Sequence, residues 1–359
     1  MNMKEILKNI SYRVSLIGIK GVPANYGGFE TFAENLVIKS SRQINWIVYA
    51  EDIDKMHSRK YNYESYRVPF KANGLQSMFH DAFSVLHSII FKKAECVLCL
   101  GYSGSWILPF VKIFFKSKII TNIDGLEWRR EKHNIITKKL LYSLEQIALE
   151  FSDVIIVDNQ SLIQHIKAKF IHKIEVVEYG GDHLLEDTLP SQKKYEENYD
   201  YSLSRIVPEN KVHLILEAYS KSGKPFKYIG NWLSSKYGKD LFEKYSIFKN
   251  IELINPIYDL GEIKKFRSNG ATYIHGHSVG GTNPSLVEAI FCNDQIICFD
   301  CDYNRTTMNN TGNYFSNAEE LFELISSERN SISSNDLALL KGKYSWSNIV
   351  NRYITIIKS

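Results

Sequence analysis

The chain has 359 residues and a formal net charge of +4, with 44% hydrophobic and 23% charged residues. This composition excludes a disordered chain and a fibrous repeat, and the length suits two domains that each bury a core. The sequence shows no run of about 18 apolar residues and no signal-peptide pattern, so we expect a cytoplasmic protein.

Short apolar runs rich in β-branched residues alternate with longer helical patterns in residues 1–183. The runs are RVSLIGI, NLVIKSS, INWIVYA, CVLCLGY, KIITNID, DVIIVDN and IEVVEYG. This alternation predicts an α/β domain with a parallel, doubly wound sheet. The same residues hold 24 Lys and Arg against 19 Asp and Glu. Either a solvated surface or a surface that approaches anionic lipid or phosphate would explain this basic balance.

A glycine-rich segment, GIKGVPANYGGFETF (Gly18–Phe32), follows the first run. Glycines let backbone amides approach a ligand closely, and a helix that begins near Glu30 or Thr31 favours an anion at its N-terminus. The segment is therefore a candidate phosphate cradle, and a flexible turn explains it equally well. The dinucleotide fingerprint GxGxxG is absent, which argues against an NAD-dependent oxidoreductase.

The segment NIDGLEWRREKH (Asn122–His133) follows a later run. Asp124 would lie at the carboxyl edge of the sheet, where an acid could orient or deprotonate a hydroxyl. Three basic side chains that could hold a phosphate follow, namely Arg129, Arg130 and Lys132. The alternative is that Asp124 caps the next helix and the basic side chains are solvated.

Residues 184–198 are polar and charged and contain a proline, which predicts a linker after a first domain of residues 1–183. The alternation then restarts, with runs at 201–207, 226–230, 250–254, 271–275 and 295–300. It predicts a second Rossmann-like domain over residues 199–343. Residues 344–359 have the apolar spacing of a helix that could pack on either domain. Two such domains would face each other across a cleft at the carboxyl ends of their sheets.

Two cations open the second domain. Arg205 lies just past a predicted strand in SLSRIVPENKVHL, and Lys211 lies at the head of an amphipathic helix. If both converge on the cleft, they would neutralise a diphosphate leaving group where its charge develops.

The segment HGHSVGGTNPSLVEAI (His275–Ile290) combines a flexible loop with a helix start. The loop residues whose amides could donate to phosphate or sugar oxygens are Gly280, Gly281, Thr282 and Asn283. Thr282 or Asn283 would cap the helix, and Pro284 fits its first position. Glu288, one turn inside, could accept hydrogen bonds from a ribose diol; the alternative is a solvent-facing glutamate. His275 and His277 suit packing positions, and the less favoured alternative is a catalytic role for either.

The five cysteines lie mostly in apolar runs, and we expect them to be reduced. They are Cys96, Cys99, Cys292, Cys298 and Cys301. Two pairs have CxxC spacing, but strand residues alternate faces and no histidine spacing supports zinc. We predict neither a metal nor another cofactor.

Together these stretches resemble the family 4 glycosyltransferases of the GT-B fold, and most closely a rhamnosyltransferase-type subgroup of bacterial surface polysaccharide biosynthesis. The resemblance extends over nearly the whole chain. It rests on GVPANYGGFETFAENL, DGLEWRREKH, SDVIIVDNQ, VEYGGDH, YSLSRIVPEN, YIHGHSVGGTNPSLVEAI and FDCDYNRTT.

The resemblance implies roles for the second domain. Glu288 matches the second glutamate of the family's E-x7-E motif, which binds the nucleotide ribose, whereas the first glutamate falls on Gly280. The donor sugar would then be contacted by the backbone amides of Gly281, Thr282 and Asn283. Arg205 matches the diphosphate arginine. Lys211 lies one residue after Asn210, which aligns with the usual lysine partner.

The resemblance also implies roles for the first domain. The glycine loop near the diphosphate is matched by Gly27 and Gly28. Asp124 lies where related enzymes place an active-site His or Asp, and it would position groups near the reacting atoms. The acceptor side would contain Arg129, Arg130 and Lys132.

The family is similar in retaining the anomeric configuration without a metal. We therefore expect transfer of a hexose from a dTDP- or UDP-sugar, with L-rhamnose from dTDP-rhamnose as the first candidate. The expected acceptor is a lipid-diphosphate-linked saccharide of capsule, O-antigen or exopolysaccharide assembly. The expected site of action is the inner membrane surface, where the protein would be peripheral, and no nucleic acid partner is expected.

Two alternatives stay open at the level of the sequence. A GT-B nucleotide-sugar epimerase would act without an acceptor, and the product formed from donor alone distinguishes it from a transferase. A non-catalytic nucleotide-sugar-binding subunit would account for the missing first glutamate, and turnover by the purified protein would exclude it.

Overall fold

The computed structural model describes residues 12–24, 27–130, 133–185, 199–327 and 331–359. The chain divides into two compact units. The first unit extends to Glu178 and includes Trp346–Ser359, and the second is Tyr179–Ser345. Lys132 and residues 186–198 of the predicted linker lie outside the described residues.

The described part of the first unit contains a sheet of seven strands. They are β1 (Arg13–Val22), β2 (Asn45–Ile53), β3 (Glu64–Arg67), β4 (Cys96–Leu100), β5 (Lys118–Asn122), β6 (Val154–Val157) and β7 (Ile174–Val176). Their spatial order is β3-β2-β1-β4-β5-β6-β7, and all neighbours pair in parallel. The central strands are almost wholly buried, as strands covered on both faces are, which explains their continuous apolar runs.

Helices connect these strands. They are α1 (Gly28–Ser40), α2 (Lys55–Lys60), α3 (Ser77–Ile90), α4 (Leu108–Phe114) and α5 (Ile135–Phe151). The run NLVIKSS, which resembled a strand, lies almost entirely in α1, so that expectation was wrong. The buried positions of this helix include Phe32, Ala33, Leu36, Val37 and Ser40, and their spacing follows the helical and not the strand period.

The second unit contains a sheet of six strands among its described residues. They are β8 (Tyr199–Leu203), β9 (Phe226–Ile229), β10 (Ile251–Ile254), β11 (Gly270–His275), β12 (Ile296–Phe299) and β13 (Asn313–Phe315). The order is β10-β9-β8-β11-β12-β13, again parallel throughout. Two parallel-sheet α/β domains confirm the predicted fold class.

Seven helices lie in the described residues of the second unit. They are α6 (Val212–Ser222), α7 (Lys236–Tyr245), α8 (Leu260–Asn269), α9 (Pro284–Cys292), α10 (Asp302–Thr307), α11 (Ala318–Ser326) and α12 (Ser334–Lys343). Aromatic side chains fill the core beneath α6. The rings of Tyr219 and Phe226 stack with centroids 3.9 Å apart, and Trp232 is fully buried.

The last helix, α13 (Trp346–Lys358), belongs to the first unit. Its apolar face is buried, and the ring centroids of Trp346 and Tyr353 lie 5.8 and 4.9 Å from that of Phe32 on α1. The helix is therefore held by packing of one apolar stripe. Within the described ranges, every helix is too short or too polar to cross a bilayer.

Candidate functional site

In each unit the predicted site residues lie in segments that follow strands of a parallel sheet. In the first unit these segments follow β1 and β5, and in the second they follow β8 and β11. Parallel strands all end at one edge of their sheet, which is where open α/β sheets bind ligands.

The glycine loop of the first unit places Gly27 immediately before α1. Its φ of 83° lies in the left-handed region, and a Cβ there would approach Glu30 Oε2 to 2.8 Å, so only glycine fits without strain. Glu30 is buried, and its Oε1 accepts a hydrogen bond from the backbone N–H of Lys20 at 3.0 Å. Burial raises the pKa of Glu30. The carboxylate of Glu30, in the first turn of α1, is thus hydrogen-bonded to the backbone of β1. Gly28 is the first residue of the helix.

Asp124 occupies a strained turn at the end of β5. Its φ is 55°, which non-glycine residues rarely adopt. Its backbone N–H donates to Asn122 Oδ1 at 2.9 Å, and Asn122 Nδ2 donates to the Tyr353 hydroxyl at 2.8 Å. Asp124 does not cap the next helix, because Asn134 caps α5 by accepting from the N–H of Thr137. Through Asn122, two hydrogen bonds therefore connect this turn to Tyr353 near the end of the chain.

The basic side chains after Asp124 have unequal surroundings. Arg130 Nε lies 2.8 Å from Glu127 Oε2, and His133 Nε2 lies 3.1 Å from Glu127 Oε1. The exposed guanidinium of Arg129 lies over the Trp128 ring, 5.1 Å from its centroid. Arg129 is thus the more accessible of the two described arginines for an anionic acceptor.

A buried glutamate beneath this loop escaped the sequence analysis. Glu145 of α5 is 3% exposed, and its Oε2 accepts from Trp128 Nε1 at 2.9 Å. Burial raises the pKa of Glu145 to about 7. The buried Tyr102 hydroxyl has no hydrogen-bond partner among the described residues. Burial, and to a smaller extent the nearby charge of Glu145, raises the pKa of Tyr102. The available signal was a carboxylate beside Leu144 on a helix face that is otherwise apolar.

In the second unit the loops after β8 and β11 are joined by side-chain hydrogen bonds. Asn210 is buried; its Nδ2 donates to the Arg205 carbonyl at 2.7 Å, and its Oδ1 accepts from His277 Nδ1 at 2.6 Å. The N–H of Ser278 donates to the Glu209 carbonyl at 3.0 Å. Asn210 therefore has a structural role, because it links the two loops.

The two predicted cations lie on either side of Asn210. Arg205 is exposed. Lys211 has a φ of 47° and lies immediately before α6, and its Nζ lies 5.0 Å from the centroid of the Phe299 ring. The cation–π contact holds the ammonium at the end of β12, at the carboxyl edge of the sheet.

Gly280 has a backbone conformation that only glycine adopts easily. Its φ is 131°, and a Cβ there would lie 3.1 Å from His277 Nε2. A larger residue would therefore meet the imidazole. Of the two predicted caps, Asn283 is the one used, because its Oδ1 accepts from the N–H of Ser285 at 2.9 Å. Gly281 is partly exposed and Thr282 is buried.

Glu288 is largely covered, so the alternative of a solvent-facing glutamate is wrong. Its Oε2 accepts from Nη2 of the fully buried Arg267 at 2.6 Å, and its Oε1 lies 3.5 Å from His183 Nε2. Burial alone would raise the pKa of Glu288, but Arg267 and His183 outweigh it and lower the pKa. The carboxylate is therefore ionised at neutral pH, with Oε2 bound to arginine.

His275 behaves as a packing residue. Its ring is buried, its Nδ1 lies 3.1 Å from the Tyr273 hydroxyl, and burial lowers its pKa well below the ordinary value. Among the described residues, no three His, Cys, Asp or Glu side chains are grouped so that they could bind a metal ion.

Three solved structures with a similar arrangement of elements are distant in sequence. A glycosyltransferase from Rickettsia africae matches with a TM-score of 0.74 and 13% identity over 97% of this chain and 98% of that chain. Sucrose-phosphate synthase from Thermosynechococcus elongatus matches with 0.76 and 12% over 96% and 98%. The Anabaena HepE protein with bound UDP-glucose matches with 0.71 and 14% over 96% and 98%.

The fold is GT-B. Residues 11–182 also match the family model "Domain of unknown function (DUF1972)". No curated protein matches the sequence. In this GT-B chain, the predicted donor residues of the second unit follow β8 and β11, and Asp124 follows β5 of the first unit.

Proposed function

We propose that the chain is a retaining glycosyltransferase that uses a nucleotide-sugar donor. The observation that carries this proposal is the state of Glu288: an ionised carboxylate, bound by Arg267 at one oxygen, one turn inside a helix that follows a glycine loop. Such a carboxylate accepts strong hydrogen bonds from hydroxyls, and the diol of a ribose offers two of them.

The proposed donor is a dTDP- or UDP-sugar, with dTDP-L-rhamnose as the first candidate. Support for a pyrimidine nucleotide comes from the Anabaena neighbour, whose structures contain UDP and UDP-glucose. Support for rhamnose comes from the sequence resemblance. With glycine at position 280, the amides of Gly281, Thr282 and Asn283 are the proposed contacts to the sugar.

In the proposed reaction the bond between sugar C1 and the diphosphate oxygen breaks, and the acceptor oxygen bonds to C1 from the same face. The acceptor proton passes to the departing phosphate oxygen, so no charge is left unbalanced. Arg205 and Lys211 would stabilise the negative charge that develops on the diphosphate. Gly27 and Gly28 are proposed to offer amides to the same group.

The proposed acceptor is a lipid-diphosphate-linked saccharide of surface polysaccharide assembly, met at the inner face of the cell membrane. Asp124, held in its turn by Asn122, would orient the acceptor hydroxyl. Arg129 is the proposed contact to acceptor phosphate because it is exposed, whereas Arg130 pairs with Glu127.

Donor binding tests the assignment of Glu288 and Arg205. Each of Glu288→Gln and Arg205→Ala removes a charged hydrogen-bonding group, and we expect each to weaken binding of the nucleotide sugar by about 1 to 3 kcal/mol. This corresponds to a Kd raised roughly 5- to 150-fold in titration calorimetry. Glu252→Gln is the matched control, because Glu252 is exposed on β10.

Unchanged donor Kd values in both variants would contradict the site assignment. A panel of dTDP-, UDP- and GDP-sugars with a lipid-linked acceptor, read by mass spectrometry, identifies the transferred sugar. Clean epimerisation of donor alone would favour the epimerase, and binding without turnover on any pair would favour the binding subunit.

A further inference from the structure

Two neighbouring helices of the first unit turn large apolar side chains outward. On α3, Phe79, Phe83 and Ile90 are exposed and share one helical face, and Phe91 follows at 71% exposure. On α4, Phe110, Ile113 and Phe114 are exposed at helical spacing, with Ile113 at 75%. Soluble monomers rarely expose apolar residues at such density.

These side chains form one continuous surface, here called the aromatic face. Phe70 lies next to α3, with ring centroids 6.2 Å from Phe79 and 6.3 Å from Phe83. Trp106 joins α3 to α4: its ring lies 6.4 Å from Phe79, and its Nε1 donates to the Met78 carbonyl at 3.1 Å. The face therefore continues from α3 through Trp106 to α4.

The inward side of α3 is more polar than its outward side. The residues that α3 buries include Ser84 and Ser88, whose hydroxyls donate to backbone carbonyls of the same helix. An amphipathic helix of a soluble domain normally has the opposite polarity. Because removing a large apolar side chain from water is favourable, the outward phenylalanines favour an apolar partner.

Lysines accompany the aromatic face. The segment 69–117 contains five lysines and two acidic residues. Lys71, Lys93 and Lys116 are exposed. Of the two acids, Asp81 is buried against His80, and Glu95 is exposed and accepts from the backbone N–H of Arg13 at 3.0 Å. Phenylalanines flanked by lysines are typical of helices that lie in the interface of an anionic bilayer. A second copy of the chain fits less well, because it would bring two sets of lysines together.

We propose that the aromatic face of α3 and α4 docks the protein onto an anionic phospholipid bilayer, with the apolar side chains entering the interface and the lysines meeting lipid phosphates. This surface would explain how the protein reaches the membrane location given in the proposed function. The biological meaning of the docking surface rests on that proposed function. Vesicle binding needs neither donor nor acceptor, so the two proposals can fail separately.

Co-sedimentation with vesicles tests the docking surface. The full chain is mixed with vesicles of phosphatidylcholine plus phosphatidylglycerol, or of phosphatidylcholine alone. The triple variant Phe91→Gln, Ile113→Gln, Phe114→Gln should bind the anionic vesicles roughly tenfold or more weakly, since it loses three inserted side chains. Ile247→Gln is the control, because Ile247 is 77% exposed in the second unit. It should bind like the unmodified chain.

A charge-reversed variant separates lipid phosphate from simple apolar adsorption. Lys93→Glu with Lys116→Glu should weaken binding to anionic vesicles at least about fivefold and leave the weaker binding to neutral vesicles unchanged. Lys236→Glu is its control, because Lys236 is exposed in the second unit. Circular dichroism should show that all variants are folded.

Three outcomes would overturn the proposal. The first is that the unmodified chain does not bind vesicles, and the second is that the triple variant and Ile247→Gln bind them equally. The third is that the unmodified chain is a dimer in sedimentation velocity, the triple variant is a monomer, and neither protein binds vesicles. Donor Kd values of the triple variant should equal those of the unmodified chain. A lost donor affinity with normal vesicle binding in the Glu288→Gln variant would separate the two sites.

Discussion

At the scale of single residues, Gly280 and His277 show how one loop position depends on another. The sequence identified Gly280 as a departure from the motif of the family that the chain resembles, and it placed Glu288 one turn inside a helix, where the structure has it. It could not place His277 Nε2 beside Gly280, because that contact depends on how the loop after β11 turns back on itself. It could not place Asn210 against His277 either, because that hydrogen bond depends on how the loops after β8 and β11 approach each other.

Gly280→Ala tests whether this loop is held in one conformation. The new Cβ would lie 3.1 Å from His277 Nε2 at a φ of 131°, so we expect the free energy of unfolding to fall by about 1 to 3 kcal/mol. The donor Kd should rise as well, because the amides that follow would shift. Urea denaturation and calorimetry measure the two effects.

Gly223→Ala is the control for Gly280→Ala. Gly223 also has a positive φ, 65°, but a Cβ there would contact nothing within 4 Å. Gly223→Ala should therefore lower the free energy of unfolding without a change in donor Kd. Equal donor Kd values for Gly280→Ala and the unmodified chain would show that the His277 contact does not shape the donor loop.

At the scale of elements, the alternation of apolar runs predicted both parallel sheets, because central parallel strands are apolar on both faces. It did not predict β3 and β13, since these edge strands of four and three residues carry no apolar run. The same pattern misassigned NLVIKSS, because a short apolar run fits a strand or a helix face. Which side of α3 faces outward was also undetermined, since packing and not periodicity decides it.

The contact between α5 and the Asp124 loop should make stability depend on pH. Burial raises the pKa of Glu145 from an ordinary 4.5 to about 7, so the folded chain keeps a proton that the unfolded chain has lost. The stability from this group is fully present below pH 4.5 and is lost as pH rises to about 7. Over that window the loss is about 3 kcal/mol.

Glu145→Gln should remove this pH dependence while keeping an oxygen for Trp128 Nε1. Urea denaturation at pH 5 and pH 8 measures it: the variant should gain stability relative to the unmodified chain at the higher pH. Glu150→Gln is the control, because Glu150 lies on the same helix but is exposed. A Glu145→Gln variant with the pH dependence of the unmodified chain would contradict a raised pKa.

At the scale of the whole molecule, the last helix, α13, belongs to the unit that contains β1. The sequence predicted a helix over residues 344–359 but left its partner open, because an apolar stripe does not specify which surface covers it. In the structure α13 packs on Phe32 and reaches Asn122, which in turn fixes the backbone of Asp124. The C-terminus thus supports a candidate catalytic turn more than 200 residues earlier in the chain.

Replacing one buried tryptophan in each unit tests the stability of the two units separately. Trp346 of α13 and Trp232 of the second unit are both fully buried, so replacement by alanine should cost about 3 to 5 kcal/mol in either case. The loss should appear in different sheets. With Trp346→Ala, hydrogen exchange should speed up in β1 and β5 and stay unchanged in β8 and β11, whereas Trp232→Ala should show the reverse. Faster exchange in β8 after Trp346→Ala would mean that α13 stabilises the second unit instead.

The hydroxyl of Tyr353 on α13 accepts a hydrogen bond from Asn122. Because Tyr353→Phe loses this bond, we expect it to lower the free energy of unfolding by about 1 kcal/mol and to speed up hydrogen exchange at Asp124.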